Sequence, residues 1–130
     1  MCLVTKQSNW LIAEKDIKCY KMLDTNIGGD FVTPYERTWV DDSIIRGERL
    51  FTAEKTSHYE TFFPSYDGTC VIDDGAIHCY RNWLHGFTNA FGSFHLFKCI
   101  IPKGTRYAIG EGGDICAQAI KFVKQIYTYE

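Results

Sequence analysis

The sequence holds no run of about 18 or more apolar residues, the length a membrane-spanning helix needs, so no membrane partner is expected. It has no cluster of about five or more Lys and Arg, and 14 basic against 16 acidic residues leave a formal net charge of −2. Bulk charge therefore draws no polyanion, and nucleic acid is not an expected partner. Metal-ligand spacings are missing as well. No CxxC, HxxxH or HExxH occurs, and His78-Cys79, as neighbours on a strand, point to opposite faces. Gly110-Glu111-Gly112-Gly113-Asp114 lacks the Gly-Lys-Ser/Thr of a phosphate loop and carries two carboxylates that repel an anion. No metal or other cofactor is expected. The opening MCLVTKQSNW has neither the apolar core nor the basic start of a secretory signal. The expectation is a cytoplasmic protein whose six cysteines, at 2, 19, 70, 79, 99 and 116, are reduced thiols that pack as small hydrophobes.

What is present suits one globular domain, 1–130. At 130 residues with 45% hydrophobic content, the chain can bury a core of its own. Aromatics are abundant, with Phe 9, Tyr 8 and Trp 3. Tyr and Trp join an apolar body to a polar tip, which suits half-buried and binding surfaces.

Residues 1–15 read as an arm across the core around Trp10-Leu11-Ile12-Ala13. Residues 17–23, IKCYKML, read as a first strand that ends at the turn residues Asn26 and Gly28-Gly29. Phe31-Val32 and Thr38-Trp39-Val40 are short strand pieces either side of Pro34; 41–49 is a solvated loop, and 50–53 a further short strand. Residues 54–69 mix charge with His58, Tyr59, Phe62, Phe63 and Tyr66, and long aromatic loops of this kind are often functional. Asp73-Asp74-Gly75, between CVI and AIHCY, predicts a hairpin. Residues 81–91, RNWLHGFTNAF, predict the one helix, with Trp83, Phe87 and Phe91 turned inward and Gly92 as its stop.

The longest apolar run, SFHLFKCIIPKGTRYAI at 93–109, predicts a central strand. Phe94, Leu96, Lys98 and Ile100 lie on one of its faces; His95, Phe97, Cys99 and Ile101 lie on the other. Pro102-Lys103-Gly104 hairpins it to 106–109. Residues 115–130 fit a helix or a strand, and their Ile, Tyr and Thr favour the strand. The fold class is α+β: a mainly antiparallel twisted β-sheet with one short helix packed on it.

MCLVTKQ with Ile12-Ala13-Glu14, the segment Asp16-Ile17-Lys18-Cys19-Tyr20-Lys21, then Gly75-Ala76-Ile77-His78-Cys79-Tyr80 and Cys99-Ile100-Ile101-Pro102-Lys103-Gly104-Thr105 resemble a group of small uncharacterised proteins from gut-bacterial and phage genomes. The resemblance spans most of the chain and implies a phage or mobile-element origin, hence a host-cell cytoplasmic setting, without assigning chemistry. Cys19-Tyr20-Lys21 and Ile101-Pro102-Lys103-Gly104 are similar to two strand ends of the ADP-ribosyltransferase fold. Here Lys21 stands where that fold has Arg, and its Ser-Thr-Ser strand and closing Glu-x-Glu are missing, which implies that the transferase chemistry is absent.

Thiolate activation needs a cationic or helix-N-terminal setting, and Cys79, just before the predicted helix, comes nearest to that. The candidate ligand-binding set is Tyr20, Lys21, Tyr59, His78, Arg81 and Arg106. Cationic groups take phosphate or carboxylate, and aromatic faces stack on bases. No catalytic residue is assigned. The expected function is a non-catalytic binding protein of phage or mobile-element type, acting in counter-defence by sequestering a small nucleotide signal or inhibiting a host protein. Two alternatives stand beside it. One is an enzyme, either a degenerate ADP-ribosyltransferase relative or a Cys/His hydrolase. The other is a protein–protein module acting through the 54–69 loop. Self-association is left open.

Overall fold

β-branched and aromatic residues recur at alternate positions along much of the chain, a pattern that suits a pleated, half-buried surface. The computed structural model describes residues 3–34, 37–53, 62–72, 76–84 and 94–129. In chain order they form β1 (Leu3–Thr5), β2 (Leu11–Ile12), β3 (Ile17–Thr25), β4 (Phe31–Val32), α1 (Asp42–Ile45), β5 (Phe51–Thr52), β6 (Phe62–Pro64), β7 (Cys70–Ile72), β8 (Ile77–Tyr80), β9 (Phe94–Ile101), β10 (Arg106–Ile109), β11 (Asp114–Ala117) and β12 (Ala119–Tyr129). The fold is mostly antiparallel β-sheet with very little helix.

The large sheet runs β2-β10-β11-β8-β3-β9-β12-β5, with β4 paired to β3; a small sheet runs β1-β7-β6. β9 sits between β3 and β12, and its faces alternate as its sequence predicts. Phe97, Cys99 and Ile101 join Cys19 and Leu23 of β3, Ile77 and Cys79 of β8, Ile115 and Ala117 of β11, and Ile120 and Phe122 of β12 in the main core. Phe97 meets Phe122 edge-on at 5.3 Å and Phe31 at 5.3 Å, a favoured aromatic geometry. The small sheet covers the other face of β10 and β11, where Leu3 and Ile72 pack with Ala108 and Cys116.

Two predicted hairpins do not form. The turn after β9 is there: Thr105 N–H donates to the Pro102 carbonyl at 3.1 Å, and Gly104 takes φ 90°, open to glycine without strain. The strand beyond it, β10, pairs with β2 and β11 instead of β9. Between β9 and β10 lie β11, β8 and β3. A flat sheet would put about 19 Å across those four spacings, more than a tight turn can cross. The large sheet therefore curls around the main core, bringing its two ends within reach of a short connection. Likewise β7 pairs with β1 and β6, whereas β8 pairs with β11 and β3, so the two segments flanking Asp73-Asp74-Gly75 belong to different sheets.

A further helix forms at α1, in the segment expected to be loop, and Trp83 and Leu84 of the predicted 81–91 helix are helical as well. Asp41 caps α1, accepting from Ser43 N–H at 3.3 Å, and Ile44 is its buried anchor. Gly47 ends it at φ 76°, where a Cβ would lie 2.7 Å from the Phe122 carbonyl oxygen. Of the predicted 81–91 helix, Trp83 and Leu84 are exposed, at 54% and 52%, so Trp83 does not face inward. Phe87 and Phe91 lie outside the described residues, as do Asp73-Asp74-Gly75 and 54–61 of the aromatic loop. The end of the chain is a strand, β12, as its β propensity favours.

Phe97→Ala is expected to lower unfolding free energy by about 3–5 kcal/mol, read from denaturant midpoints. Ile27→Ala, at a fully exposed side chain, should change it by about 0.5 kcal/mol or less.

Candidate functional site

The pairing of β3 with β9 is unbroken from Ile17↔Ile101 to Leu23↔His95. Residues directly opposite share a face, and so do residues two apart on a strand. On the face turned away from the main core, one cross-strand row reads Asp114, Tyr80, Tyr20, Lys98, Lys124 across β11, β8, β3, β9 and β12. The next row reads Lys18, Ile100, Lys121. Four lysines of three adjacent strands thus lie in two neighbouring rows. Adjacent strands are about 4.8 Å apart, so Lys98 and Lys124 stand side by side.

Lys124 reaches this face because β12 is bulged. Phe122 pairs with Cys99 and Lys124 with Lys98, so Val123 is the extra residue, 45% exposed. Without the bulge, alternation would send Val123 to the lysine face and Lys124 to the core. A second irregularity follows between Gln125 and Tyr127.

Lys18, Lys121 and Lys124 are exposed, and Lys98 and Tyr20 are half-buried. Among the described residues the ion pairs are Arg37–Asp24, Arg46–Glu48 and Arg49–Asp41, so none of the four lysines is neutralised there. The row is acidic at Asp114 and basic at Lys98 and Lys124, with two phenols between. An anion is drawn to the β9–β12 end, and Tyr20 lies beside it, half-buried against Met22, Phe94 and Leu96 of the same face. The arrangement can bind an anionic, aromatic molecule. Among the described residues it shows neither a nucleophile–base pair nor a cluster of metal-ligating side chains.

The chain matches no family model, no curated protein and no solved structure.

Of the six residues singled out from sequence, Tyr20 and His78 share this face, on the neighbouring strands β3 and β8. Lys21 is on the opposite one. It is 8% exposed, and its Nζ donates to the His78 carbonyl at 2.8 Å. Arg81 is exposed at the end of β8, its backbone N–H donating to the Gly113 carbonyl. Arg106 is exposed on β10 opposite Ile12, with β11 and β8 between it and β3. Tyr59 lies outside the described residues. The placed members therefore do not gather into one cleft. Taken singly in the sequence, each of the four lysines is indistinguishable from a solvated surface charge. The alternation of Lys18 and Tyr20 in IKCYKML and of Lys98 in FHLFKCII was the available signal; the bulge that adds Lys124 leaves none.

Beneath the same strands, the core face carries a second polar group. Cys19 and Cys99 are cross-strand partners, and Cys79 lies in the same core cluster. The neighbouring Cys79 thiol and burial push Cys19 up. The Cys19 thiol pulls Cys79 down against its burial, helped by the Lys21 ammonium. Burial pushes Cys99 and Cys116 up.

Deleting Val123 leaves Phe122 opposite Cys99 and Lys124 opposite Lys98. That chain is expected to unfold cooperatively within about 1–2 kcal/mol of the parent, by denaturant titration. A loss as large as that of Phe97→Ala would mean that β12 needs the bulge in order to pair.

Proposed function

We propose that this protein is a non-catalytic binding protein that sequesters a small nucleotide on the lysine–tyrosine face of β3, β9 and β12. The observation that carries the reading is the set of four lysines beside Tyr20, without ion-pair partners among the described residues, on strands whose register is fixed by the core behind them. Lysines on separate strands act as point charges for separate phosphate oxygens, and a phenol ring offers a base its face. A rigid sheet holds these groups in place before the ligand arrives, which lowers the ordering cost of binding. A ligand carrying two or more phosphates uses both lysine rows; a nucleoside uses neither. The phage or mobile-element setting and the counter-defence role are supported by the sequence resemblance.

Calorimetry against linear and cyclic nucleotides, with nucleosides as controls, tests the reading. Binding should rise with phosphate number and weaken with added salt, as an exposed charged site requires. Lys98→Gln combined with Lys124→Gln should cost at least about tenfold in affinity, roughly 1.4 kcal/mol, with the unfolding midpoint unchanged. Absence of heat with every nucleotide would reject a small nucleotide ligand and leave the host-protein form of the reading.

A further inference from the structure

The outer face of the large sheet holds a third row beside the two lysine rows. Lys98 and Leu96 are two apart on β9 and point to the same side, and so do the residues opposite them. Lys124 stands opposite Lys98, and Met22 and Tyr127 stand on either side of Leu96. The row Met22, Leu96, Tyr127 therefore runs alongside Tyr20, Lys98, Lys124. Met22 and Leu96 are buried, and with Phe94 they form an apolar cluster against which Tyr20 packs. Tyr127 lies at the β12 end of that cluster. Its ring leans on Phe94, with centroids 5.8 Å apart and planes tilted by 31°, and its side chain stays 41% exposed.

The second irregularity of β12 puts Tyr127 there. Gln125 pairs with Phe97 and Tyr127 with Leu96, so Ile126 is the extra residue. Strict alternation after Gln125 would send Ile126 to the lysine face and Tyr127 to the core side. The two bulges of β12 thus act alike. Each takes an aliphatic residue out of the alternation, Val123 in the first and Ile126 in the second, and delivers Lys124 and then Tyr127 to one face. Lys98 and Leu96 are about 7 Å apart along β9, which is of the order of the reach from a base across its ribose to the first phosphate. Tyr20 is half-buried, so among the described side chains of this face the exposed ring beside the lysines is that of Tyr127. Contact with Phe94 braces that ring, which lowers the cost of ordering it around a ligand.

We propose that Tyr127 is the base-stacking residue of the nucleotide site, and that the ligands are purine nucleotides with two or more phosphates, adenine and guanine alike. The base lies on the Tyr127 ring and the phosphates on Lys98 and Lys124. The inference rests on the nucleotide reading and gives that reading its ring and its ligand class. A stacking platform accepts any base, and it favours the larger π-face of a purine over that of a pyrimidine. The described groups around it do not tell adenine from guanine. Met22, Leu96 and Phe94 are apolar, and a phenol hydroxyl donates or accepts as its partner requires.

The test is calorimetry on the full chain with adenosine, guanosine and uridine triphosphates and with inorganic tripolyphosphate, which has the charge and no base. The adenosine and guanosine compounds should bind within about threefold of each other and more tightly than the uridine one, since preference follows stacking strength. Tyr127→Leu should weaken both purine compounds by at least about fivefold, the low end of a lost base stack, and leave tripolyphosphate unchanged. Tyr127→Phe, which keeps the ring, should match the parent. In the parent chain, adenosine triphosphate should move the Tyr127 ring-proton resonances upfield, and tripolyphosphate should not. Purine binding that ignores Tyr127→Leu, ring resonances unmoved by the nucleotide, or an adenine–guanine difference above about tenfold would overturn the proposal while the nucleotide reading stood. So would an equal loss of tripolyphosphate in Tyr127→Leu, because that loss is not one of stacking. Failure of every nucleotide and of tripolyphosphate to bind would remove the nucleotide reading itself, and this inference with it.

Discussion

The ladder between β3 and β9 is the constraint on which the rest of the molecule depends. It sets Cys19 against Cys99 and Tyr20 against Lys98, and with that it decides which side chains enter the core and which face outward. A slip of one residue would exchange the two sets, sending Lys18 and Lys98 into the interior and Cys19 and Cys99 out. Leu23, Phe97 and Ile101, each almost wholly buried, make such a slip prohibitive, because every one of them would lose its burial at once.

The same alternation makes the sheet two-sided. Its inner face is closed by edge-on contacts of Phe97 with Phe31 and Phe122, and its outer face carries the lysine rows. Among the described residues Lys21 is the one buried charged side chain, and it is tolerated because its Nζ reaches a main-chain carbonyl. Polar residues buried with a specific partner are where a sequence departs from the simplest pattern, and such departures concentrate at functional or strained sites.

β3 consequently serves both faces of the sheet. Tyr20, on its outer face, lies between Cys19 and Lys21 on its inner face, and Tyr20 is also the residue through which β3 meets β8. Anything that tightens or loosens the β3–β8 seam acts on the backbone that presents the Tyr20 ring. The bulge at Val123 has the matching role on the other flank, since it keeps Phe122 in the core and still delivers Lys124 to the surface. Bulges also interrupt an edge and discourage further strand pairing, which suits a long terminal strand with Val123 and Ile126 exposed.

What the sequence by itself determined was local. The period-two pattern of FHLFKCII assigned each β9 residue to its face, the turn residues after β3 and after β9 fell where they were expected, and the Ile, Tyr and Thr of the last segment made it a strand. Those properties depend on side-chain direction and on φ preferences within a few residues. Partner choice did not follow from them. Whether β9 meets β10, and β7 meets β8, depends on how far the whole sheet curls, and that is set by the packing of β3, β8, β9, β11 and β12 around one core. The grouping of Lys18, Lys98, Lys121 and Lys124, and of Cys19, Cys79, Cys99 and Lys21, was likewise a tertiary outcome. Residues that far apart in the chain become neighbours only through register, and register is fixed by burial summed over many strands.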